Sequence, residues 1–596
     1  MNNTSEAEVL VTGATGLIGR WLLAALTKRG KVTAALVRGA DEREDELRAF
    51  VNRLGGDASR LVVVDGDVEE KGLGLTVSLP KVRVVYHLAA RFAFDLTRAE
   101  ARRANVDGTR HVVEWASARR LDRFVYLGGY RMTTVDLASL DDAMLETKYA
   151  HGAYEGSKFE SYRVFRQISG AHAMPWTAVH PSGVIGDSRT GETTQVVGIG
   201  ETVQRLFAGA MPALAGSKDT YLPLVTVDYL ADYLATVPDR AASAGKDLVV
   251  LDPASPNLPE LVRTMATALG VVAPTTMLPL GLVAALPSRW TGLHREGVGF
   301  LSTDRYDTRE GDAHGAAMQL VHPPLDRAIA RWCEYLVSTR FLATPSVEGR
   351  FVRGVFTVGD PRQSEVVLLH GIPFDAEAMA PLARLLGVST ARFDLPGHGR
   401  SAPGTLDVIP SMIGDRTVLV GHSLGAAIAV RVAAAHPDKV RALVLIAPAF
   451  MMRAPGWTMQ VSPLVARVLA GAATPAAFEK RFVAGAPRVA REAIESASAA
   501  LARKGVAGRV ARALAGAIDE SARNETMVAY RLLRSRGVPV LIVHGSTEPL
   551  ALPTLDAEVL TIEGAGHNLH LTHLDAIAPA IRGLVERPRL ARASAA

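Results

Sequence analysis

The stretch Val9-Leu-Val-Thr-Gly13-Ala-Thr-Gly16-Leu-Ile-Gly19 combines an apolar run with three spaced glycines near the start of this 596-residue chain. The apolar run is typical of a buried strand, and an amphipathic segment over residues 20–27 follows it. Glycines at this spacing allow a tight turn, a close approach of backbone amides to a pyrophosphate, and close packing of helix on strand. Because the helix N-terminus then faces the phosphate charge, the stretch predicts a dinucleotide-binding turn.

The pattern around this turn predicts an α/β domain with a doubly wound parallel sheet. Continuous apolar runs, as expected for strands buried on both faces, alternate with helical periods from residue 8 to about residue 186. Residues 187–335 are less regular and are interpreted as a small substrate-binding portion. We predict strands at residues 9–12, 32–37, 61–64, 84–88, 123–127 and 177–180, and helices that include residues 108–119 and 158–168.

A second α/β domain is predicted after the periodicity is lost over residues 337–353, which gives domains at 1–345 and 346–596. Between Phe450 and Arg536 the strand pattern stops, and alanine- and arginine-rich helical patterns predict an inserted helical lid at about residues 450–536. The strands of this domain are expected at residues 355–358, 366–369, 388–393, 417–420, 442–446, 540–543 and 559–562.

Further motifs follow the predicted strands of the first domain. Asp67, in Gly66-Asp67-Val68, follows the third strand, where a carboxylate can meet an adenine amine. The sequence His87-Leu-Ala89-Ala90 ends the fourth strand. Tyr154-Glu-Gly-Ser-Lys158 places a tyrosine and a lysine one helical turn apart on the same face.

Together these motifs resemble the extended branch of the short-chain dehydrogenase/reductase superfamily over residues 8–335. Asn105-Val-Asp-Gly-Thr109 and the stretches at residues 180–187 and 224–232 fit that branch, which includes fatty-acyl and thioester reductases and dihydroflavonol- and hydroxysteroid-type reductases. The resemblance implies a Rossmann fold in which Tyr154 protonates a carbonyl as hydride arrives from a nicotinamide. It also implies that Lys158 lowers the pKa of that tyrosine and holds the nicotinamide ribose. The implied cofactor-binding residues are Gly13, Thr15, Gly16, Leu17, Ile18, Gly19, Arg20, Arg38, Asp67, Val68, Ala89 and Lys158.

One position departs from this family. The strand at residues 123–127 should be followed by a serine or threonine that hydrogen-bonds the substrate carbonyl, but the chain has Gly128-Gly129-Tyr130 there. The alternatives are that Thr133 or Thr134 takes the role, that a backbone amide or the Tyr130 hydroxyl replaces it, or that reductase activity is lost. Loss of one such donor costs about a hundredfold or more in rate.

The cofactor is expected to be NADP, as NADPH. An acidic residue after the second strand would bind the ribose 2′-hydroxyl, whereas this chain has Arg38 there. Arg20, directly after the third glycine, adds a second guanidinium that can bind a 2′-phosphate through two hydrogen bonds. The alternative is that both arginines are simply exposed.

A serine nucleophile is predicted in the second domain. Gly421-His-Ser423-Leu-Gly425 follows the apolar run at residues 417–420 and opens a helical run, the context of a G-x-S-x-G nucleophile elbow. His370-Gly-Ile372-Pro373 ends an earlier strand, so the amides of Ile372 and Leu424 are the candidate oxyanion donors. Together with Asp394-Leu-Pro-Gly-His-Gly-Arg-Ser401, these motifs resemble the α/β-hydrolase superfamily over residues 350–585.

The order serine, acid, histidine completes a catalytic triad. Glu548 follows the strand at residues 540–543, at a place where the family usually has aspartate, and His567 follows the strand at 559–562. His570 and His573 are competitors for the role of base, but they lie on a helix-like run that leads away from the turn. The alternative is a degenerate triad in which Glu548 only caps a helix.

Composition limits the remaining function classes. Hydrophobic residues make up 48% of the chain and charged residues 21%, with a net charge of +5 and no dense Lys/Arg stripe, so we expect a globular enzyme without nucleic acid. A single cysteine, Cys333, excludes an intrachain disulfide and favours a reducing compartment. The apolar stretch at residues 277–287 is too short to span a bilayer. We also expect no cleavable signal peptide, because the first dozen residues lead directly into a predicted strand. We expect a cytoplasmic enzyme without a metal site, and its oligomeric state is left open.

Three hypotheses follow from the motifs. The leading one is a bifunctional enzyme in which an NADPH-dependent reductase of a carbonyl or acyl thioester is fused to a serine hydrolase of an ester, thioester or lactone. The second keeps only the hydrolase active and makes the first domain a nucleotide-binding regulatory module, and the third keeps only the reductase active. Phe450-Met451-Met452, with Trp457 and Met459, favours an apolar small-molecule substrate, and the alternative is that these side chains only pack within the lid.

Overall fold

The computed structural model describes residues 4–287, 294–343, 349–452, 462–485, 487–548 and 557–593. The chain clusters into two compact units. Residue 345, the predicted domain boundary, lies outside the described residues, as do Trp457 and Met459 in the predicted lid. The first unit comprises Met1–Val203, Met211–Ala268 and Ala273–Leu336, and the second comprises Gln204–Ala210, Leu269–Val272 and Val337–Ala596.

The first unit contains a seven-stranded sheet in the order β7-β6-β5-β4-β1-β2-β3, and all neighbours are parallel. The order reverses between β1 and β4, so the carboxyl ends of these two strands form the crevice in which doubly wound folds bind ligands. The predicted fold class is confirmed. The strands are β1 Val9–Thr12, β2 Thr33–Val37, β3 Leu61–Asp65, β4 Val84–His87, β5 Arg123–Leu127, β6 Trp176–Pro181 and β7 Asp247–Val250.

Six of these seven strands begin and end within one or two residues of their predicted positions, because each is a short apolar run buried on both faces. The seventh, β7, lies in the portion that we interpreted as less regular. Two small strand pairs also form there, Gly183–Ile185 with Leu224–Thr226 and Leu214–Ala215 with Met277–Leu278. These strands lie in a portion of the sequence without a regular alternation of strand and helix patterns, so they were not predicted.

Helices flank the first sheet. The helix α1, Leu17–Lys28, follows β1 directly, and α2, Ala153–Ala171, carries the predicted tyrosine and lysine. A π-helical turn, Arg102–Asp107, opens the helix Gly108–Ser117. The other helices up to residue 338 are Ala40–Arg53, Arg98–Ala101, Asp142–His151, Ile199–Ala208, Val227–Thr236, Leu258–Leu269, Leu280–Ala285, Arg295–Val298, Arg309–Ala317 and Leu325–Ser338.

The second unit contains an eight-stranded sheet in the order β8-β9-β11-β10-β12-β13-β14-β15. Strands β8 and β9 form an antiparallel hairpin at one edge, and β9 also pairs antiparallel with β11, while the other neighbours are parallel. The hairpin strand β8 was not predicted. The strands are β8 Gly349–Val352, β9 Val355–Val358, β10 Val366–Leu369, β11 Thr390–Phe393, β12 Thr417–His422, β13 Val440–Ile446, β14 Val540–Gly545 and β15 Glu558–Ile562.

The segment between β13 and β14 is helical where it is described. Its helices are Ser462–Ala470, Pro475–Phe482, Arg491–Ala502, Val506–Ile518 and Glu520–Ser535. The remaining helices of this unit are Ala380–Leu386, Ile409–Met412, α3 Leu424–Ala435, Leu569–Thr572 and Leu574–Ala593. Among the helices in the described ranges, none is long and apolar enough to cross a membrane.

Candidate active sites

The turn after β1 requires its glycines. Gly13 has φ +70°, and a Cβ added there would lie 2.7 Å from the backbone nitrogen of Ala89. A Cβ on Gly19 would lie 2.2 Å from the Gly13 carbonyl oxygen. Gly16 is the residue before α1, which begins with Leu17 and Ile18. Because Gly16 has no side chain, it does not cap the amides of the first turn of this helix. The first N–H groups of a helix have no acceptor within it and can bind a phosphate.

A chain of buried hydrogen bonds joins this turn to the neighbouring strand. The Thr109 hydroxyl donates to the Asn105 carbonyl at 2.6 Å, so it accepts from His87 Nε2–H at 2.9 Å. His87 Nδ1 therefore accepts from the Thr12 hydroxyl at 2.8 Å, and that hydroxyl in turn accepts from the Ala89 amide at 3.4 Å. Burial, aided by the charge of Lys158, lowers the pKa of His87 to about 3, which keeps the imidazole neutral in this chain.

The two predicted phosphate-binding arginines lie in different environments. Arg20 is nearly buried: its Nε donates to the Thr15 carbonyl at 2.8 Å, and its Nη1 pairs with Glu46 at 2.7 Å. Arg38 has an exposed side chain and lies 3.7 Å from the carboxylate of Asp67. The structure therefore brings Arg38 and Asp67 together after β2 and β3, whereas Arg20 supports the glycine turn itself. Val68, beside Asp67, accepts a hydrogen bond from His111 through its carbonyl.

Tyr154 and Lys158 lie in the first two turns of α2. Lys158 Nζ donates to the Leu127 carbonyl at the end of β5 at 2.8 Å, and burial lowers the pKa of Lys158 to about 8. The family resemblance implied a lowered pKa for Tyr154. Instead burial raises the pKa of this tyrosine, and the nearby carboxylates of Glu296 and Glu155 raise it further. Tyr154 is therefore a neutral hydroxyl that can donate a proton.

The glycine pair after β5 has two different environments. A Cβ on Gly128 would lie 2.2 Å from His180 Nδ1, so only glycine fits there. Gly129 has an extended backbone with no heavy atom within 4 Å of an added Cβ, and its amide donates to His180 Nδ1 at 3.3 Å. A serine at position 129 would therefore be accommodated, while the chain uses the Gly129 amide to hold His180.

The proposed substitutes for the missing hydroxyl have other contacts. The Thr133 hydroxyl donates to the Tyr130 carbonyl at 2.7 Å, and the Thr134 hydroxyl donates to the Arg131 carbonyl at 2.8 Å. The Tyr130 hydroxyl is buried without a hydrogen-bond partner among the described residues, and its ring packs against Tyr306. Neither threonine can donate to a substrate without breaking its bond to the turn.

Sequence reasoning missed a group of aromatic side chains around Tyr154. Phe92 and Phe94 follow β4, and His294 and Phe300 flank the helix Arg295–Val298; we call these four side chains the aromatic wall. The Phe92 ring centroid lies 4.7 Å from that of Tyr154, and Phe94 lies 5.6 Å from Phe300. About two hundred residues separate the two pairs, so no local motif could have revealed them.

In the second unit Ser423 stands on a strained turn between β12 and α3. Its φ is +53° and its ψ −111°, a conformation that a non-glycine residue adopts only where the surroundings impose it. Added Cβ atoms on Gly421 and Gly425 would lie 2.3 Å from the carbonyl oxygens of Gly425 and Leu369, respectively. The flanking glycines therefore allow the tight crossing of strand and helix that a nucleophile elbow needs.

The predicted oxyanion donors flank this serine. Leu424 is the first residue of α3, so its amide has no acceptor within the helix. Ile372 lies in the turn after β10, and a Cβ on the preceding Gly371 would lie 2.7 Å from Ser423 Cβ. His370 fixes this turn, because its Nδ1–H donates to the Gly371 carbonyl at 2.9 Å and its Nε2 accepts from the Leu395 amide at 2.9 Å.

The structure brings His567 and Glu548 together. His567 Nδ1 donates to Glu548 Oε1 at 2.5 Å, which leaves Nε2 to accept a proton. Glu548 is buried, and its Oε2 has no partner among the described residues. His422, the residue before Ser423, donates from Nε2 to the His567 carbonyl at 3.0 Å and so holds the backbone of the base next to the elbow.

The competing histidines have different roles. His570 lies in the helix Leu569–Thr572, fully buried, and its ring centroid is 3.8 Å from that of His422. Burial lowers the pKa of His570 to about 3, so it stays neutral. His573 contacts the neighbouring Thr572 hydroxyl at 2.8 Å. Of these three histidines, His567 is the one that pairs with a carboxylate.

The helical segment between β13 and β14 contacts the loops that carry this site. Ser496 donates to the buried carboxylate of Asp375 at 2.6 Å, next to the turn that contains Ile372. Asn568, directly after the base, donates to the Phe482 carbonyl at 2.7 Å. The segment therefore packs at the carboxyl edge of the sheet, where a lid over the serine would lie.

Comparison with known proteins agrees with both resemblances. Residues 11–234 match the NAD-binding family model described as male sterility protein, and residues 366–580 match the alpha/beta hydrolase family. The chain thus joins an NAD(P)-binding, reductase-like domain to an α/β-hydrolase domain, and the two predicted resemblances are confirmed.

Individual relatives match one domain each. The nonribosomal peptide synthetase FrzA of Cladobotryum sp is 26% identical over 321 residues, which are 46% of this chain and 31% of that protein. The lipase LipV of Mycobacterium tuberculosis is 41% identical over 103 residues, 15% of this chain and 40% of the lipase. The chain therefore spans less than half the length of these two curated relatives. Among solved structures, the terminal R domain from the myxalamid PKS-NRPS biosynthetic pathway is 22% identical with a TM-score of 0.46, covering 57% of this chain and 93% of that domain.

Crowding at Gly19 gives a first prediction. In Gly19→Ala the new methyl group must displace the Gly13 carbonyl, so we expect the dissociation constant for NADPH to rise about tenfold or more, measured by fluorescence titration. Gly170→Ala is the matched control, because nothing lies within 4 Å of its Cβ at the end of α2. Unchanged NADPH affinity in Gly19→Ala would contradict a dinucleotide site at this turn.

Proposed function

We propose that this chain is a bifunctional enzyme, an NADPH-dependent reductase of a carbonyl or acyl thioester joined to a serine hydrolase that cleaves an ester, thioester or lactone. The observation that carries the proposal is the presence of two separate sets of proton-handling groups, each at the carboxyl edge of its own sheet. Tyr154 and Lys158 stand beside β5 in the first, and His567 and Glu548 stand beside the Ser423 elbow in the second.

In the hydrolase, Ser423 attacks an acyl carbonyl as His567 Nε2 accepts its proton. The hydrogen bond that His567 Nδ1–H donates to Glu548 fixes the imidazole tautomer and stabilises the imidazolium that forms. The amides of Ile372 and Leu424 then stabilise the oxyanion of the tetrahedral intermediate. His567 gives the proton to the leaving group as its bond to the carbonyl carbon breaks, which leaves an ester on Ser423. Water then attacks that ester as His567 takes its proton, and the bond to Ser423 breaks as His567 returns the proton to the serine oxygen, which releases the acid.

In the reductase, the glycine turn fits a dinucleotide, since Gly13 and Gly19 lie where any Cβ would fill the space against the backbone. A bound NADPH supplies hydride to the carbonyl carbon. Tyr154 donates its hydroxyl proton to the carbonyl oxygen, and Lys158, held by the Leu127 carbonyl, is placed to hold the nicotinamide ribose. With Gly129 in place of a hydroxyl residue, a single donor polarises the carbonyl, so we expect slow turnover.

The choice of NADP over NAD is part of the proposal. The exposed guanidinium of Arg38 after β2 can bind a 2′-phosphate, and no carboxylate stands at that position to accept a ribose hydroxyl. Asp67, next to Arg38, can then accept a hydrogen bond from the adenine amine. Arg20 contributes indirectly, because it already binds the Thr15 carbonyl and Glu46.

The relatives favour an acyl substrate. A peptide synthetase matches the first domain and a lipase matches the second, which favours a thioester for reduction and an ester for hydrolysis. We also propose a cytoplasmic location, since Cys333 is a buried thiol whose pKa is raised by burial and which needs no oxidising environment.

A second candidate function is a hydrolase regulated by a nucleotide-binding domain. Gly129 favours it, together with the bonds that hold the Thr133 and Thr134 hydroxyls in their own turn. This alternative predicts NADPH binding without hydride transfer to any carbonyl compound.

Reversal of charge at Arg38 tests the cofactor. We expect the native protein to bind NADPH about tenfold or more tightly than NADH, because a charge-assisted hydrogen bond to the 2′-phosphate is lost with NADH. Arg38→Asp should remove or reverse that preference in a titration of both nucleotides. Arg60→Asp, at the amino end of β3, is the control and should leave it unchanged. Equal affinity of the native protein for both nucleotides would refute this assignment.

Removal of the tyrosine hydroxyl tests the reductase. Tyr154→Phe should abolish NADPH-dependent reduction of aldehydes and thioesters while NADPH affinity stays within about twofold, because only the proton donor is lost. Gly129→Ser should raise the rate, since the space beside Gly129 accommodates the hydroxyl. If Tyr154→Phe reduces carbonyls as fast as the native protein, Tyr154 is not the acid.

The hydrolase prediction concerns Ser423, His567 and Glu548. Ser423→Ala and His567→Ala should each lower kcat for an ester by about three or more orders of magnitude, and the double variant little further, because triad members act as a unit. Glu548→Gln should be milder but still severe. A fluorophosphonate probe should label native protein at Ser423, and mass spectrometry would locate the adduct. His573→Ala is the matched control and should retain activity, whereas an active Ser423→Ala would disprove the assignment.

A further inference from the structure

The aromatic wall lies next to the Tyr154 ring, with ring surfaces that are not buried in the core. Phe92, Phe94 and Phe300 are partly exposed and His294 is exposed. Phe92 and Phe94 meet each other and Tyr154 edge to face, at interplanar angles of 66° to 77°. Exposed aromatic surface gathered beside a reactive group marks a binding surface more often than a solvated one.

The first half of the aromatic wall is fixed to the helix that carries Tyr154. Asn105 accepts a hydrogen bond from the Arg91 amide at 2.7 Å, directly before Phe92, and donates to the Ser157 hydroxyl at 2.9 Å. That hydroxyl donates to the Tyr154 carbonyl at 2.8 Å. The π-helical turn places Asn105 where it can make both bonds, as such turns often do at functional sites.

The second half is fixed to the same helix by Glu296. This buried carboxylate accepts from the Glu155 amide at 2.8 Å, and an added Cβ on Gly152 would collide with it. The segment that carries His294 and Phe300 therefore lies against the first turn of α2. Both halves of the aromatic wall are thus fixed to the helix that carries Tyr154.

Charged groups next to the aromatic wall are compensated. Glu155 lies 3.4 Å from Arg131 and 3.8 Å from Lys148. The Arg131 guanidinium also covers the Phe300 ring, with its carbon 4.8 Å from the centroid. Burial raises the pKa of Glu296, which favours its neutral form. The groups beside the aromatic wall therefore include both cations and carboxylates.

We propose that the aromatic wall is a subsite for an aryl or conjugated planar group, so that the preferred substrate of the reductase is a carbonyl compound that carries such a group next to the carbonyl. This inference rests on the proposed reductase function. Hydride from NADPH adds to the carbonyl carbon and the Tyr154 proton adds to the oxygen, which converts an aldehyde to an alcohol and NADPH to NADP⁺. Ring-to-ring contacts favour a planar aromatic group over an alkyl chain of similar area.

The test compares the NADPH-dependent reduction of two aldehydes, cinnamaldehyde and octanal. We expect native protein to show the lower KM for cinnamaldehyde, because its planar group can pack against the rings of the aromatic wall. Phe92→Leu and Phe94→Leu should raise the KM for cinnamaldehyde about three- to tenfold, with kcat and the KM for octanal within about twofold. Phe94→Tyr, which keeps the ring, should behave as native protein.

The same variants are also tested for binding of cinnamyl alcohol to protein loaded with NADP⁺, which requires no turnover. Trp176→Leu, an aromatic loss at the amino end of β6, is the control and should change neither measurement. The proposal is supported, even if reduction is slow, when Phe92→Leu and Phe94→Leu bind cinnamyl alcohol more weakly than native protein and the Trp176→Leu control does not. Reduction or binding without an aromatic preference, or leucine variants equal to native protein, would overturn the subsite and leave the reductase standing. Absence of both reduction and alcohol binding would overturn the reductase function as well.

Discussion

Close approach of backbone to backbone at the carboxyl ends of parallel strands is the constraint on which both sites depend. Parallel strands bring their ends to one edge, and the chain must then turn sharply into a helix. In the first sheet this turn leaves 2.2 Å between the Gly13 carbonyl and an added Cβ on Gly19. In the second, a Cβ on Gly425 would lie 2.3 Å from the Leu369 carbonyl. Both turns therefore need glycine, one to admit a phosphate and the other to expose a serine.

The hydrogen-bond chain in the first domain extends this constraint to the reacting groups. The chain runs from the Ala89 amide through Thr12, His87 and Thr109 to the Asn105 carbonyl, and the Asn105 side chain continues to Ser157 on α2. Because each donor in this series of hydrogen bonds meets an acceptor, the glycine turn and the helix with Tyr154 are fixed relative to each other. A neutral His87 is needed for it, which burial ensures.

These constraints explain which features the sequence could predict. Strand runs and glycine spacing are local patterns, so thirteen of the fifteen strands in the two main sheets and the elbow were predictable, and Glu548 could be paired with His567 from chain order alone. The aromatic wall was not, because Phe92 and His294 belong to segments about two hundred residues apart, which only the folded chain brings together. The partner of Arg20 could not be predicted either, since Glu46 lies in the helix Ala40–Arg53, where no sequence motif distinguishes it from the other acidic residues.

The two sites handle charge in opposite ways, and burial explains the difference. In the hydrolase the imidazoles of His422 and His570 next to His567 stay neutral, since burial depresses the pKa of each, so His567 can become an imidazolium without a neighbouring cation. In the reductase the cation is already present at Lys158, and burial lowers its pKa to about 8. Its charge is therefore lost as the pH rises through about 8, in the range where Tyr154, with a raised pKa, still holds its proton. A phosphate anion bound near Lys158 would favour the charged ammonium, which links cofactor binding to the protonation of the site.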